Sequence, residues 1–240
     1  MIRMNQKRSH SKHKNNTAIH FNFLDWLCIA ISLAVSIVVI FFYHENSPFY
    51  TFVSVVALNG GVLGTILSIK GRRSNFIIAF IEAFACFYTS WANHFIGNAL
   101  INILFYAPAT IIGFHSWGKH SGRDKKVIAR KFTPIQAIIA IAIFVATTIL
   151  LNLILVALGG AYTIIDSAAT ILIIFATILA VLRFREQWLA WLLSDILQLI
   201  MWTTTNDPAI LALRIFFPLS AIYGYINWRK LIKPPRSKKH

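Results

Sequence analysis

The sequence predicts an all-α integral membrane protein with eight transmembrane helices, and three observations lead to that fold class. The 240 residues are 57% hydrophobic and only 13% charged, whereas a soluble domain usually contains about 25% charged residues. The apolar residues form runs of about twenty, the length that an α-helix needs to cross about 30 Å of hydrocarbon. The basic residues cluster between these runs instead of covering a polar surface, so a net charge of +15 does not predict a nucleic-acid partner.

Eight apolar runs follow one another along the chain, and the third and sixth are short or interrupted. The first run follows a long polar leader and ends without the small residues of a signal-peptide cleavage site, so we expect it to remain as a helix. The runs cover roughly Leu24–Tyr43, Thr51–Ile69, Phe76–Trp91, Ala99–Trp117, Pro134–Leu155, Ile164–Val181, Gln187–Thr203 and Pro208–Trp228.

The basic residues alternate between the two ends of these runs. Five segments contain 22 of the 23 Lys and Arg residues, namely the N-terminal tail, 70–73, 119–131, 183–185 and 229–239. The connections at the other end contain none, namely 44–50, 92–98, 156–163 and 204–207. Because cytoplasmic loops carry the excess of Lys and Arg, this alternation predicts a multi-pass protein with both termini in the cytoplasm.

Arg214 is the remaining basic residue, and it lies inside the last predicted span. It is about a turn and a half from the outer end of that helix, so its side chain could snorkel to the interface. A structural ion pair and contact with a substrate are the two alternatives.

Cysteine and histidine do not predict a disulfide or a metal site. Cys28 and Cys86 both lie in apolar runs, where small buried cysteines are common. His10, His13 and His20 lie in a Lys-rich tail without Cys or carboxylate partners. We therefore expect neither a metal nor another cofactor.

Two segments of about 65 residues, 51–117 and 164–228, share one layout. Each turns at a basic loop and ends with a proline followed by a Gly-aromatic-x-x-Trp sequence. The matching residues are Pro108, Gly113, Phe114 and Trp117 in the first copy, and Pro218, Gly224, Tyr225 and Trp228 in the second. Because a single helix, 134–155, joins them, both units have the same orientation. The predicted architecture is 1+3+1+3, with a cavity near the membrane midplane between parallel repeats.

This architecture divides the chain into six parts. They are a basic cytoplasmic tail (1–23), an extra N-terminal transmembrane helix (24–50), the first repeat (51–117), a basic loop with the linker helix (118–163), the second repeat (164–228) and a basic C-terminal tail (229–240).

The seventh run has one polar and aromatic face. Trp188, Trp191, Asp195, Gln198 and Trp202 are spaced 3, 4, 3 and 4 residues apart, which places them on one side of a helix. A carboxylate about two turns inside a span is costly unless it is paired or solvated, so Asp195 indicates a functional site. Trp188 and Trp202 also suit the aromatic belt of a span, whereas Trp191 is too deep for it.

Other spans contribute further polar and aromatic candidates. Hydrogen bonding between helices is the alternative role for the amides. These candidate substrate-binding residues are Gln187 beside Trp188, Glu82, Tyr88 and Trp91 in the third run, Asn98, Asn102 and Tyr106 in the fourth, and Tyr223 and Asn227 in the last.

Together these side chains predict the chemistry of a ligand. Aromatic faces stack on a flat ring and attract a cation. A carboxylate supplies a counter-charge, and amides bind hydroxyl and carboxamide groups. The ligand that fits is a flat heterocycle, able to be cationic, that carries a sugar, which leaves both nucleosides and vitamins open.

Several motifs resemble the PnuC family of nicotinamide riboside transporters over about residues 45–230. They are Glu186-Gln-Trp188-Leu-Ala-Trp191 followed by Asp195, Asn98-Ala-Leu-Ile-Asn102-Ile-Leu-Phe-Tyr106-Ala-Pro108, the basic loop Lys70-Gly-Arg72-Arg73-Ser-Asn75-Phe76, and the two Gly-aromatic-x-x-Trp endings.

The resemblance implies a SWEET-like core with both halves in one chain, a homotrimer, and a bacterial inner (plasma) membrane location. It implies uptake of nicotinamide riboside by facilitated diffusion, with substrate contacts from Trp188, Trp191, Asn98 and Asn102. In this family we expect Asn near Glu82 and Asp195, and the acids found there suit either a pyridinium substrate or thiamine.

Three alternatives to that function follow from the residues. The chain could be a related thiamine or riboflavin transporter, or an ion-coupled nucleoside transporter in which Glu82 and Asp195 take up protons. An intramembrane enzyme is not expected, because the sequence contains no serine hydrolase, zinc protease, P-loop or dinucleotide-binding motif.

Overall fold

The computed structural model describes residues 19–42, 47–93, 96–122, 124–157, 163–203 and 207–232, so most of both predicted basic tails lies outside the described residues. Within these ranges the chain is all-helical, which confirms the predicted fold class, and a helix occupies each of the eight predicted runs. The helices are α1 (Phe23–Phe42), α2 (Pro48–Ile69), α3 (Asn75–Ala92), α4 (Ile96–Ile101, Asn102–Tyr106 and Ala107–Lys119), α5 (Pro134–Ala157), α6 (Thr163–Val181), α7 (Gln187–Trp202) and α8 (Pro208–Asn227).

Seven of these helices are long and apolar enough to cross a membrane, and α7 is the exception. Its 16 residues extend about 24 Å at 1.5 Å per residue. Trp188, Asp195, Gln198 and Trp202 on this helix are all buried inside the protein. Because neighbouring helices shield these side chains from lipid, α7 can carry a polar face. Its exposed large residues are apolar, namely Leu189, Leu193, Ile196 and Ile200.

Two groups of three helices form the centre of the molecule. In one group α3 packs against α2 and α4, and in the other α7 packs against α6 and α8. The groups meet where α2 contacts α8 and where α4 contacts α6. Helix α1 packs on the first of these seams and α5 packs on α6. This packing is compatible with the predicted 1+3+1+3 arrangement.

Polar contacts join α1 to α2. The Lys70 ammonium, just after α2, lies 2.6 Å from the Asp25 carboxylate in the first turn of α1. Deeper in the helix pair, Ser32 Oγ donates to Asn59 Oδ1 at 3.1 Å, and Asn59 Nδ2 donates to Ser36 Oγ at 2.8 Å. Hydrogen bonds of this kind stabilise helix pairs where lipid offers no alternative partner.

Helix α4 widens into a π-helical segment, Asn102–Tyr106, directly before Pro108. The Ala107 N–H bonds to the Asn102 carbonyl, five residues earlier. A proline ring clashes with the carbonyl four residues before it, and the wider turn relieves that clash. Pro218 in α8 has no such effect, since the helix around it stays α-helical.

The loops with the basic clusters meet at one end of the bundle. This end is called here the basic end, and its described residues are 70–74, 119–122, 124–133, 182–186 and 229–232. Two residues after its last residue, each of α2 and α6 is followed by a left-handed residue, Gly71 with φ 68° and Arg183 with φ 67°. The Val127 N–H bonds to Gly71 O at 2.8 Å, and the Arg130 N–H bonds to Arg183 O at 2.8 Å. The segment before α5 therefore holds both turns together.

Two buried tryptophans cross between the helix groups at the basic end. Trp117, in the last turn of α4, donates its indole N–H to Ala180 O in α6 at 2.8 Å. Trp228, after α8, donates its indole N–H to Ser68 O in α2 at 3.0 Å. Each group thus binds a carbonyl in the last turn of the other group's first helix, where helix carbonyls need external donors.

A hydrogen-bond network around the Asp207 carboxylate joins three helices at the opposite end of the bundle. It accepts hydrogen bonds from Tyr50 Oη and Ser54 Oγ in α2, both at 2.8 Å, and from the Ile210 N–H at 3.0 Å as the N-cap of α8. Asn93 Nδ2, after α3, donates to Tyr50 Oη at 2.7 Å. This network has no counterpart among the residues predicted to matter.

Candidate binding cavity

A cavity lies between the two helix groups. All six helices that form those groups contribute to its lining, which agrees with the position predicted for a site between repeats. Nine of the thirteen predicted site residues line it, namely Glu82, Asn98, Asn102, Tyr106, Gln187, Trp188, Trp191, Asp195 and Gln198.

Aromatic rings form one side of this cavity. Trp188 is buried, with its ring edge-on to Trp228 at a centroid distance of 5.9 Å. One turn further, Trp191 lies edge-on to Tyr106 of α4 at 6.2 Å and 87°. Trp188 therefore does not lie in an aromatic belt at the membrane interface, which was the alternative position for it. Its ring is buried inside the protein against Trp228, the residue that follows α8.

Three amide side chains of the cavity, Asn98, Asn102 and Gln198, donate hydrogen bonds within the protein through their NH₂ groups. Asn102 Nδ2 donates to Asn98 O at 2.8 Å, and Gln198 Nε2 donates to Ser194 Oγ at 3.2 Å. Asn98 Nδ2 donates to Ser90 Oγ at 3.2 Å. The protein thus orients these groups. Asn98 Oδ1 also accepts from Asn102 Nδ2 at 3.4 Å, and the amide oxygens of Asn102 and Gln198 remain as acceptors.

Three polar atoms near the basic end of the cavity are buried without a hydrogen-bond partner in the described part of the chain. They are Asn75 Oδ1, Gln187 Nε2 and Trp188 Nε1. A buried polar atom without a partner is costly, so this group indicates where a bound ligand or water would be held. Asn75 was not predicted as a site residue, although it begins α3 just as Gln187 begins α7.

Three charged side chains line the cavity in the described ranges: Glu82, Asp195 and Arg214. Each is less than a tenth exposed. The Arg214 guanidinium lies over the rings of Trp202 and Phe217 at 5.6 and 5.8 Å. The snorkelling considered for Arg214 is therefore wrong, because its side chain points into the protein and not along α8 to the interface.

Four predicted site residues lie outside the cavity. Tyr88 packs edge-on to Phe49 at 5.0 Å, and Trp91 is 51% exposed on the outside of α3. Tyr223 is at the surface, where its hydroxyl accepts a hydrogen bond from Asn22. Asn227 donates to Ile69 O at 3.0 Å and so completes the end of α2. Helical spacing alone does not distinguish these faces from the one that lines the cavity.

The cavity also contains residues that sequence reasoning missed. Small hydroxyl and aromatic side chains carry no signal of their own, because the same residues occur throughout the spans. They are Thr65, Ser68, Phe76, Thr110, Thr177, Phe217 and Ser220. Among the described residues no three His, Cys, Asp or Glu side chains are grouped as metal ligands would be.

Spanning helices around a polar, aromatic cavity define a multi-pass membrane protein with a site for a small solute inside the bilayer. A family model described as nicotinamide mononucleotide transporter matches residues 51–230. The chain belongs to this transporter family, and the resemblance to PnuC is confirmed.

Two curated relatives are named nicotinamide riboside transporter PnuC. The protein from Haemophilus influenzae is 35% identical over 176 residues, which cover 72% of this chain and 77% of the relative. The protein from Neisseria mucosa is 29% identical over 220 residues, which cover 87% of this chain and 81% of the relative.

A solved structure has the same fold. The crystal structure of the vitamin B3 transporter PnuC matches with a TM-score of 0.77 and 26% identity, over 91% of this chain and 96% of that chain. Helix α1 lies outside the range of the family model, which begins at residue 51.

Proposed function

We propose that this protein carries nicotinamide riboside across the bacterial inner membrane by facilitated diffusion. The observation that carries the proposal is the cavity, which brings the rings of Trp188, Trp191 and Tyr106 together with the amides of α4 and α7. The rings stack on the pyridinium ring, and the amides bind the ribose hydroxyls and the carboxamide. The names of both curated relatives support the same substrate.

The family model is named for the mononucleotide, and the cavity favours the riboside instead. A phosphate monoester carries close to two negative charges at neutral pH. Glu82 and Asp195 would repel that phosphate inside a site of low dielectric constant. The riboside lacks the phosphate and keeps the ring and sugar that the cavity suits.

The arrangement in the membrane is part of the proposal. The excess of Lys and Arg at the basic end supports a cytoplasmic location for that end and for both termini. The paired contacts of Trp117 and Trp228 support two parallel repeats, 51–117 and 164–228. Rocking of these repeats about the cavity would expose it to each side in turn. From the resemblance we also infer a homotrimer, which molecular-mass measurement in detergent would test.

Calorimetric titration of the purified protein tests the substrate. Nicotinamide riboside, its mononucleotide, thiamine and riboflavin are added in parallel to the detergent-solubilised chain. We expect micromolar binding of the riboside alone. Binding of thiamine or riboflavin in its place would show that another vitamin is the substrate. If none of the four ligands binds, the proposal is refuted.

Proton coupling is the second candidate, favoured by the two buried carboxylates Glu82 and Asp195. A symporter concentrates its substrate only while the ion gradient lasts, whereas a uniporter only equilibrates it. Uptake into proteoliposomes is therefore measured before and after the pH gradient is collapsed. Equilibration that continues unchanged supports facilitated diffusion, and accumulation that stops with the gradient supports coupling.

A further inference from the structure

The charges around the cavity do not balance. Glu82 of α3 and Asp195 of α7 contribute two carboxylates from opposite helix groups, and Arg214 of α8 contributes one guanidinium. No other charged side chain of the described residues lines the cavity. With all three groups ionised, the empty site has an excess of one negative charge.

Neither carboxylate has a hydrogen-bond or ion-pair partner among the described residues. Glu82 is 9% and Asp195 is 4% exposed, yet no described side chain or backbone N–H donates a hydrogen bond to either one. Neither forms an ion pair within 4.0 Å, since the described pairs are Lys70 with Asp25 and Arg185 with Glu186. A buried carboxylate without a partner is costly, so these two groups are left for a ligand or for water.

Arg214 is placed to offset one carboxylate. It interacts electrostatically with both Glu82 and Asp195, but it lies too far from either for a direct ion pair. Its Nε is buried without a hydrogen-bond partner among the described residues, and aromatic rings cover the guanidinium. The guanidinium therefore offsets one of the two negative charges of the site without forming an ion pair with either carboxylate.

Close packing holds the Glu82 carboxylate at the cavity. A Cβ atom added to Gly61 of α2 would lie 2.9 Å from Glu82 Oε1 and 2.7 Å from Leu213 Cδ1. The Glu82 carboxylate of α3 thus packs directly on the backbone of Gly61 in α2, where Leu213 of α8 also lies. A group held in this way is positioned before the ligand arrives.

We propose that Glu82 and Asp195 make this site selective for a ligand with one positive charge, with Arg214 offsetting the second carboxylate. The inference rests on the proposed function and adds to it the residues that distinguish the pyridinium cation from a neutral ring of the same shape. A bound monocation brings the cavity to neutrality, and a neutral ligand leaves the excess charge uncompensated in a medium of low dielectric constant.

The test compares two ligands that differ by one ring atom and one charge. Nicotinamide riboside is the cation, and the C-riboside of benzamide, in which carbon replaces the ring nitrogen, is the neutral analogue. The affinity of each is measured by calorimetry for the native chain and for Asp195→Asn and Glu82→Gln. Asp166→Asn is the matched control, because this carboxylate lies in spanning helix α6 but does not line the cavity.

We expect the native chain to prefer the cation by about tenfold or more, the effect of about 1.4 kcal/mol on an equilibrium constant. Asp195→Asn and Glu82→Gln should each reduce that preference by about tenfold, which again corresponds to about 1.4 kcal/mol. Both variants should still bind the neutral analogue. Asp166→Asn leaves the preference unchanged. Because aromatic rings also attract cations, the fall in preference in the two cavity variants, rather than the native preference, identifies the carboxylates.

The other outcomes separate this inference from the proposed function. A native chain that binds both ligands equally, or variants that keep the native preference, would overturn the charge inference alone. If both cavity variants bind neither ligand, the carboxylates have a structural role, and the charge inference is overturned in that case too. A native chain that binds neither ligand would refute the proposed function, and the charge inference with it.

Discussion

Trp191 and Trp91 both lie on helices of the central bundle, yet their surroundings differ completely. Trp191 lines the cavity and contacts the ring of Tyr106. Trp91 is 51% exposed on the outer side of α3. A tryptophan in a membrane protein can serve as an interface anchor or as a stacking platform, and here its neighbours decide which.

Replacing Trp191 by alanine should weaken riboside binding by about 1–3 kcal/mol, the scale of a lost aromatic stack. The loss follows from removal of the ring that faces Tyr106 across the cavity. Calorimetry on the folded variant measures it, with Trp91→Ala as the control that should bind normally. Unchanged affinity in Trp191→Ala would remove this residue from the site.

Asp207→Asn should lower the free energy of unfolding by about 1–3 kcal/mol. The buried carboxylate accepts from Tyr50, Ser54 and the N-terminus of α8, and hydrogen bonds to a charged acceptor are the stronger kind. Thermal unfolding in detergent measures the change. Asp166→Asn serves as the comparison, and an equal effect of both variants would argue against a special role for Asp207.

Close approach between helices depends on two glycines at matching places. A Cβ on Gly113 of α4 would lie 2.3 Å from the ring of Phe76, and a Cβ on Gly224 of α8 would lie 2.6 Å from the ring of Trp188. In each group of three helices, the glycine of the Gly-aromatic-x-x-Trp sequence thus contacts an aromatic ring from the start of the middle helix. The sequence motif is a packing motif.

Gly224→Ala should therefore displace Trp188 and weaken riboside binding by about tenfold, or about 1.4 kcal/mol. The added methyl group cannot fit while the indole ring keeps its position. Gly122→Ala is the matched control, since its nearest neighbour would be Lys126 O at 3.8 Å. Native affinity in Gly224→Ala would show that the ring position is unimportant for binding.

At the scale of the whole molecule, the two helix groups are joined at opposite ends by different chemistry. At the basic end, indole N–H groups of Trp117 and Trp228 bind carbonyl groups of the other group. At the opposite end, the single carboxylate of Asp207 joins α8 to α2. If the groups rock as proposed, these contacts must break and reform during transport.

Trp117→Phe and Trp228→Phe should destabilise the protein to a similar extent, by about 1 kcal/mol each for the lost hydrogen bond. Because both side chains are fully buried, the cavity left by the smaller ring adds to this loss in both variants. Each variant leaves one carbonyl in the last turn of α6 or α2 without its donor. Melting temperatures of both variants in the same detergent provide the comparison. Effects that differ severalfold would contradict the equivalence of the two repeats.

How far the site could be predicted depended on the residue type. Asp195, Glu82 and Trp191 stand out in an apolar span, because lipid makes such side chains costly or unusual at that depth. Thr110, Thr177 and Ser220 line the same cavity, but hydroxyl groups can bond within their own helix and are tolerated anywhere in a span. Trp91 and Tyr88 have the right chemistry and the wrong orientation.

The sequence by itself determined the class of protein, the eight helices and the end of the bundle at which the basic loops lie. These follow from the length of apolar runs and the distribution of charge, both of which depend only on local composition. Only the tertiary structure decided that Arg214 faces the cavity, that Asn227 completes α2, and that Asn75 lines the same cavity as Gln187. Those outcomes depend on how helices distant in sequence rotate and pack against one another, and periodicity along one helix cannot specify its neighbours.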